Sequence, residues 1–316
     1  MSASHRRKLI ADALASPLPA PDTCSAREVL SGVWLRIPPS DYITRSHIRR
    51  AHEVARQRCG MSGSQYEEQL QSEYARLTDA EPWYWNQLWP GGIGLARHVL
   101  EHPELVCGRT VLEFGSGIGL LAVSAAVAGA VRVVATDIEP AALAFAERSA
   151  ADNRIADGVL ATVVWDWHHP PEPEGFVARL APFDVVLLPD VMYDSDAVER
   201  LGVLAPSLVA PGGCLLFSDG TDRPYGGAHT KRLVELLCAP PASFALHCQS
   251  EVVAGAEAED GGAAPARPVQ LVSLTRGGGH GEGQRLGLSL GVHMDACGLV
   301  QRCAGRWAFR IASPAS

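Results

Sequence analysis

From residue 109 to residue 238, short apolar runs alternate with longer stretches of helical periodicity. The apolar runs predict strands at 109–114, 131–136, 159–165, 183–189 and 213–218, and the amphipathic stretches predict helices at 118–129, 140–152, 194–209 and 228–238. Near-continuous apolar strands alternating with helices belong to a mostly parallel sheet covered on both faces, so the fold class is α/β. Upstream, "DYITRSHIRRAHEVARQRC" carries Ile48, Ala51, Ala55 and Cys59 at helical spacing, which predicts a helix over 41–59. A second helix is expected at about 64–77. The aromatic stretch "EPWYWNQLWPGG" then leads into a third at about 92–101. Residues 1–40 are Pro- and Ser-rich at both ends and are expected as a poorly ordered tail. The organisation is therefore a tail (1–40), a helical extension (41–82) and a main domain (83–316) with a variable Gly-rich C-terminal part. Beyond 240, "FALHCQSEVV" and "PVQLVSLTR" look like an antiparallel pair around the loop 254–267, "GGGHGEG" is a breaker, and "RWAFRIA" is a further strand candidate. The pattern leaves open which of these three strands completes the sheet.

Bulk composition narrows the function. At 316 residues, 47% hydrophobic and 20% charged, the chain suits one large domain with appendages. No apolar run reaches the ~18 residues of a membrane span, and the Ala-rich 118–131 meets Arg132, so no membrane partner is expected. A net charge of −8 argues against a broad nucleic-acid surface. Eight cysteines without a C-x-x-C pair suggest neither a zinc ribbon nor a disulfide framework. The expected setting is the cytoplasm, as a monomer. Arg6, Arg7 and Lys8 keep a mitochondrial transit peptide as the alternative.

The chemistry concentrates around "TVLEFGSGIGLLAVSAA", residues 110–126. Gly115, Gly117 and Gly119 stand between a strand and a helix, where backbone N–H groups face a ligand. A dinucleotide fingerprint wants a small third residue, and here that position is the bulky Leu120. The pattern is instead E-x-G-x-G-x-G, and Glu113 suits a ligand presenting an ammonium group rather than a pyrophosphate. Asp137 closes the next strand, placed either to accept from two ribose hydroxyls or to cap the helix 140–152. Asp166 and Trp167 follow the third strand, suited to an adenine amino group and to the face of the base, or else to solvent and core. Pro189, Asp190 and Tyr193 end the fourth strand, where ligands bind in open α/β sheets. Asp190 could instead cap the following helix, although Asp194 and Ser195 already serve that purpose. His168 and His169 lack a third ligand at metal-binding spacing, so no metal is expected.

Together these residues resemble the class I, seven-stranded S-adenosylmethionine (SAM) methyltransferases over about 83–220, through "LWPGG", "VLEFGSGIG", "VWDW" and "DVMYD". Within that superfamily they resemble the small protein-lysine methyltransferase branch. "YWNQLWPGGIGLARHVLEHPELVCGRTVLEFGSGIG" is especially similar to its electron-transfer-flavoprotein β-subunit lysine methyltransferases. The resemblance implies a Rossmann-like seven-stranded sheet and SAM as cofactor. It implies a SAM pocket of Trp89, Gly115, Gly117, Asp137 and Trp167, with Glu113 facing the methionine moiety and Pro189 passing by through its backbone. Ser116, Gly119 and Asp166 complete the expected cofactor set. Asp190 is expected to orient the incoming amine and Tyr193 to form an aromatic wall.

The implied activity is methyl transfer from SAM to a lysine of a protein substrate. The alternatives are a small-molecule N- or O-methyltransferase and a non-catalytic interaction module on the same fold. A deep pocket lidded by 41–85 would favour a small molecule, and an open acidic rim a protein. Trp83, Tyr84 and Trp85 fit either a substrate rim or packing of the N-terminal helices. The arginines of 45–58 fit either a solvated helix face or a dock for an acidic substrate.

Overall fold

In the computed structural model the described residues are 3–60, 63–80, 84–168, 176–225, 227–254 and 267–277. Seven strands form one sheet: β3 (Thr110–Glu113), β4 (Arg132–Asp137), β5 (Leu160–Val164), β6 (Phe183–Pro189), β7 (Val209–Gly220), β8 (Phe244–Ala254) and β9 (Arg267–Arg276). Their order is β5-β4-β3-β6-β7-β9-β8. The first five in this order run parallel, and β9 is antiparallel to both of its neighbours. This is the Rossmann-like seven-stranded sheet that the sequence predicts. The two strands left open at the C-terminal end are settled: β9 inserts between β7 and β8. "RWAFRIA" lies outside the described residues, as does most of "GGGHGEG".

Side chains alternate across each strand. Leu112, Val134, Val186, Leu188, Leu215 and Phe217 pack on one face with Val198 and Leu201 of α8 (Ser195–Leu208) and Leu233 and Leu237 of α9 (Ala228–Cys238). Helices α4 (Pro90–Glu101), α5 (Leu120–Val127) and α6 (Pro140–Asp152) pack on one another and on the sheet. Crossover connections of this kind leave the carboxyl ends of β3 to β7 along one edge, and that edge carries the site.

The extension also follows the expected pattern, with α2 (Tyr42–Cys59) against α3 (Ser64–Ala80) through Ala51, Ala55, Leu70 and Leu77. Residues 1–40 differ from the loose tail expected from composition. They hold α1 (Ala3–Ala15) and a hairpin of β1 (Ala26–Leu30) and β2 (Val33–Arg36). Polar anchoring explains the order. The Arg36 guanidinium pairs with Asp152 and donates to the carbonyls of Pro21, Asp22 and Cys24, while Trp34 N donates to Asn153 Oδ1 at 2.9 Å. Arg49 donates to the carbonyls of Ala13, Leu14 and Ser16, and Arg45 to those of Ser16 and Pro17. Arg49 thus satisfies carbonyls that the last turn of α1 leaves open, and Arg45 holds the residues just after it. Two of the arginines of this helix thereby hold the extension together. No helix among the described residues is long and apolar enough to cross a membrane.

Candidate active site

A cavity of about 1290 Å³ opens along the carboxyl ends of β3 to β7. Eleven of the twelve site residues expected from sequence line it: Trp89, Glu113, Gly115, Ser116, Gly117, Asp137, Asp166, Trp167, Pro189, Asp190 and Tyr193. Gly119 is the exception. It stands at φ +86° where α5 begins, and a Cβ there would sit 2.5 Å from Cβ of Ala146. Gly119 therefore lets α5 and α6 approach, and it is not among the residues that line the cavity.

The other two glycines face the cavity, both at positive φ that favours glycine. A Cβ on Gly117 would stand 2.8 Å from the carbonyl oxygen of Trp85, and one on Gly115 3.0 Å from Val191 Cγ1. Beside them Glu113 ends β3 almost fully buried, with Oε2 finding no partner among the described residues. Burial, aided by the neighbouring Asp137 charge, pushes its carboxyl well above the ordinary range. Ser116 Oγ is buried and likewise without a partner there. Asp137 Oδ2 accepts from Gly117 N at 2.8 Å and Oδ1 from Glu139 N at 2.9 Å. Burial raises the Asp137 carboxyl and these amides lower it, burial prevailing. The cap of α6 is Glu139, whose Oε1 accepts from Ala141 N, so Asp137 does not fill that position. Each Asp137 oxygen keeps a second acceptor site.

After β5, the Trp167 ring is buried, lies 6.2 Å from Phe114 and stacks on His168 at 3.9 Å. It is at once core and cavity wall. Asp166 Oδ1 accepts from His168 N at 3.0 Å. The His168 ring bonds the hydroxyl of Tyr193, whose phenol is pushed above its ordinary range chiefly by burial. His169 and Trp83 lie outside the described residues, among which no group of three or more His, Cys, Asp or Glu could hold a metal.

Asp190 departs from its expected setting. It has φ +50°, and its side chain is only 4% exposed. Oδ1 accepts from Arg223 Nη2 at 3.0 Å and from Gly220 N at 3.3 Å, and Oδ2 accepts from Gly92 N at 3.2 Å. The carboxylate is engaged by three donors and is not an open acceptor for an amine. The Arg223 guanidinium in turn lies 5.0 Å from the ring centre of Trp89, which donates to the Tyr84 carbonyl.

Sequence reading missed the loop after β7. In "FSDGTDRPYGG", Arg223 and Tyr225 line the cavity, and Asp219 lies buried behind them with Oδ1 accepting from the Tyr225 hydroxyl at 3.2 Å. Burial, then the Asp190 charge, pushes the Asp219 carboxyl up to about 7. The available signal was a polar run at the end of a fifth parallel strand. Helix α2, within the segment 41–85 that the sequence offers as a lid, contributes Tyr42, Ile43, Ser46, His47 and Arg50 to a wall of the cavity.

Residues 84–221 match the family model described as lysine methyltransferase. The electron transfer flavoprotein beta subunit lysine methyltransferase of Rattus norvegicus is 31% identical over 119 residues, covering 37% of this chain and 42% of the relative. That of Danio rerio is 36% identical over 118 residues, with 37% and 42% covered. The protein N-terminal and lysine N-methyltransferase EFM7 of Eremothecium gossypii is 31% identical over 159 residues, with 48% and 60% covered. The chain thus spans about half the length of the curated relatives it matches. Residues 84–221, which carry the glycine loop, Asp137, Trp167 and the Asp190–Tyr193 segment, are thus the part of the chain that is similar to the lysine methyltransferase family.

Proposed function

We propose that the chain is a SAM-dependent protein-lysine N-methyltransferase. The observation that carries this is that Glu113, buried and with Oε2 unpartnered among the described residues, lines one cavity with Gly115 and Gly117. That set fits the methionine end of SAM: Glu113 Oε2 meets its ammonium, and Gly115 and Gly117 offer backbone without side chains at the cavity wall. Asp137 has acceptor capacity left for the ribose hydroxyls, and Asp166 and Trp167 stand where the adenine would lie. When bound, SAM supplies a methyl group on a sulfonium sulfur, so the protein's part is chiefly to position the nucleophile.

Asp190 acts by holding Gly92, Gly220 and Arg223 at one point, and Tyr193 with His168 forms an aromatic wall at the acceptor end. A lysine amine near pKa 10.4 is almost wholly protonated at pH 7, so the site must also release a proton. The described cysteines Cys24, Cys59, Cys107, Cys214 and Cys238 are free thiols, in keeping with a cytoplasmic protein, which we propose acts as a monomer.

A small-molecule acceptor is the second reading, favoured by the wall that α2 builds over the cavity. One experiment separates the two: incubate the full chain with radiolabelled SAM, purified electron transfer flavoprotein β subunit and a cell lysate. Label in N-methyllysine after acid hydrolysis supports the protein-lysine reading. Label solely in the low-mass filtrate supports the second, and no transfer or SAM binding removes both.

A further inference from the structure

Lysine methylation needs a base, and Asp190 is poorly placed to be one, since Arg223 and two backbone amides already engage it. The neighbouring carboxyl differs. Asp219 is 2% exposed, and its Oδ2 finds no partner among the described residues. Its link to the cavity is the half-buried Tyr225, whose hydroxyl donates to Oδ1. Tyr225 is held from behind by His229 of α9, stacked at 3.7 Å and bonded through Nδ1 to the Met192 carbonyl.

We propose that Tyr225 and Asp219 form a proton relay that accepts the proton of the incoming lysine ammonium. The inference rests on the protein-lysine reading above. The ammonium gives one proton to the Tyr225 oxygen as the Tyr225 hydroxyl proton passes to Asp219 Oδ1. The N–H bond breaks towards nitrogen, leaving its electron pair on a neutral amine. Tyr225 ends as it began, and Asp219 becomes a neutral acid. One cation and one anion are thereby discharged together, which a poorly solvated site favours. After methyl transfer the product leaves as a secondary ammonium, and Asp219 returns its proton to solvent through Tyr225.

The surrounding charges suit this cycle. Asp190 faces Asp219 and favours its protonated form, while Arg223 opposes it only in part because that guanidinium is bonded to Asp190. Asp222 and Arg267 pair with each other, and the residue opposite Asp219 on β9 is the neutral Gln270. The Asp219 carboxyl accordingly sits near 7, suited to exchange protons at neutral pH.

The test uses the full chain as wild type, Asp219→Asn and Tyr225→Phe. In the SAM-free protein, carboxyl ¹³C NMR should show a group titrating near 7 that is absent from Asp219→Asn and moved upward in Tyr225→Phe, which loses a donor to the carboxylate. With radiolabelled SAM and lysate protein as acceptor, both variants should bind SAM as wild type does. Each should lose at least about tenfold in kcat at pH 7 with little change in KM. The deficit should shrink towards pH 10, where lysine arrives as the free amine. A merely structural role predicts a deficit that does not vary with pH, and that result overturns the relay. So does the absence of a near-neutral carboxyl, or wild-type kcat in both variants at every pH. Wild type that methylates no lysine overturns the relay by removing the reading beneath it, and is recognised by failing before any variant is compared. Tyr225→Phe keeps the comparison decisive if Asp219→Asn does not fold.

Discussion

The Asp190 carboxylate meets the Arg223 guanidinium at 3.0 Å, and Arg223 in turn lies against the face of Trp89. One side chain thereby joins the end of β6, the start of α4 and the loop after β7. Asp190→Asn keeps the shape and an acceptor for Gly220 N but removes the charge that fixes Arg223. The fold and SAM affinity should survive, and kcat should fall by about 10²-fold, the order that a misplacement of about 1 Å at the reacting centre costs. Calorimetry and single-turnover transfer at saturating SAM check this. Lost SAM binding with intact transfer would make Asp190 a cofactor residue instead.

Adjacent glycines give a sharper test of the same junction. A Cβ on Gly91 would lie 2.4 Å from Asp190 Oδ2, whereas one on Gly92 meets nothing closer than Pro189 Cβ at 3.9 Å. Gly91→Ala should therefore displace the carboxylate and reproduce the kcat loss of Asp190→Asn. Gly92→Ala should stay within a fewfold of wild type. Equal effects from the two alanines would remove Asp190 as the point of contact.

Asp137 carries the cofactor prediction. Its oxygens retain acceptor sites beyond the bonds from Gly117 and Glu139, so a ribose can be held by charge-assisted hydrogen bonds worth about 1.5–3 kcal/mol each. Asp137→Ala should weaken SAM and its demethylated product at least about tenfold in calorimetry, and NAD should bind neither protein. Unchanged SAM affinity in a folded variant would take Asp137 out of the site.

Much of this was legible because strands buried on both faces write themselves as apolar runs. The positions of β3 to β7 follow from that alternation, and the glycine loop and the acids stand out at the ends of those runs. What stayed hidden depended on distant partners. Gly119 reads as one more ligand glycine until Ala146 of α6 is seen beside it. Asp190 reads as an open carboxylate because Arg223 is 33 residues away and carries no motif. Order in residues 1–40 depends on Arg36 meeting Asp152 across 116 residues, which local composition cannot report. The base of the proposed relay escaped notice for the same reason, as nothing in "SDGTDRPY" says which carboxyl turns inward.

Arg49 separates a structural cation from a substrate dock. Its guanidinium donates to three carbonyls at the end of α1. Arg49→Glu would place an anion against those carbonyls and a helix C-terminus, reversing a favourable interaction. The expected result is early proteolytic cleavage within 1–20 and a lower Tm, with KM for the protein substrate and its salt dependence unchanged. A raised KM with undisturbed α1 would restore the docking role.

The buried acid of the β7 loop should leave a mark on stability as well as on catalysis. In the folded chain burial lifts the Asp219 carboxyl from the usual 3.8 to about 7. The folded state therefore holds a proton between those values that the unfolded chain has released, and stability falls as pH rises. The contribution is fully present below about pH 4 and is lost as pH passes about 7. At most it amounts to about 4 kcal/mol. Asp219→Asn removes it, because an amide does not titrate, while the similarly raised Glu113 remains in both proteins and cancels from the comparison. The Tm of wild type relative to Asp219→Asn should accordingly decline from pH 4 to pH 7 and level off above pH 8, where the variant should be the more stable protein. Thermal melts at constant ionic strength decide the matter. A difference in Tm that stays flat across this range would show that Asp219 is ionised in the folded chain, and would take away the acceptor on which the relay depends.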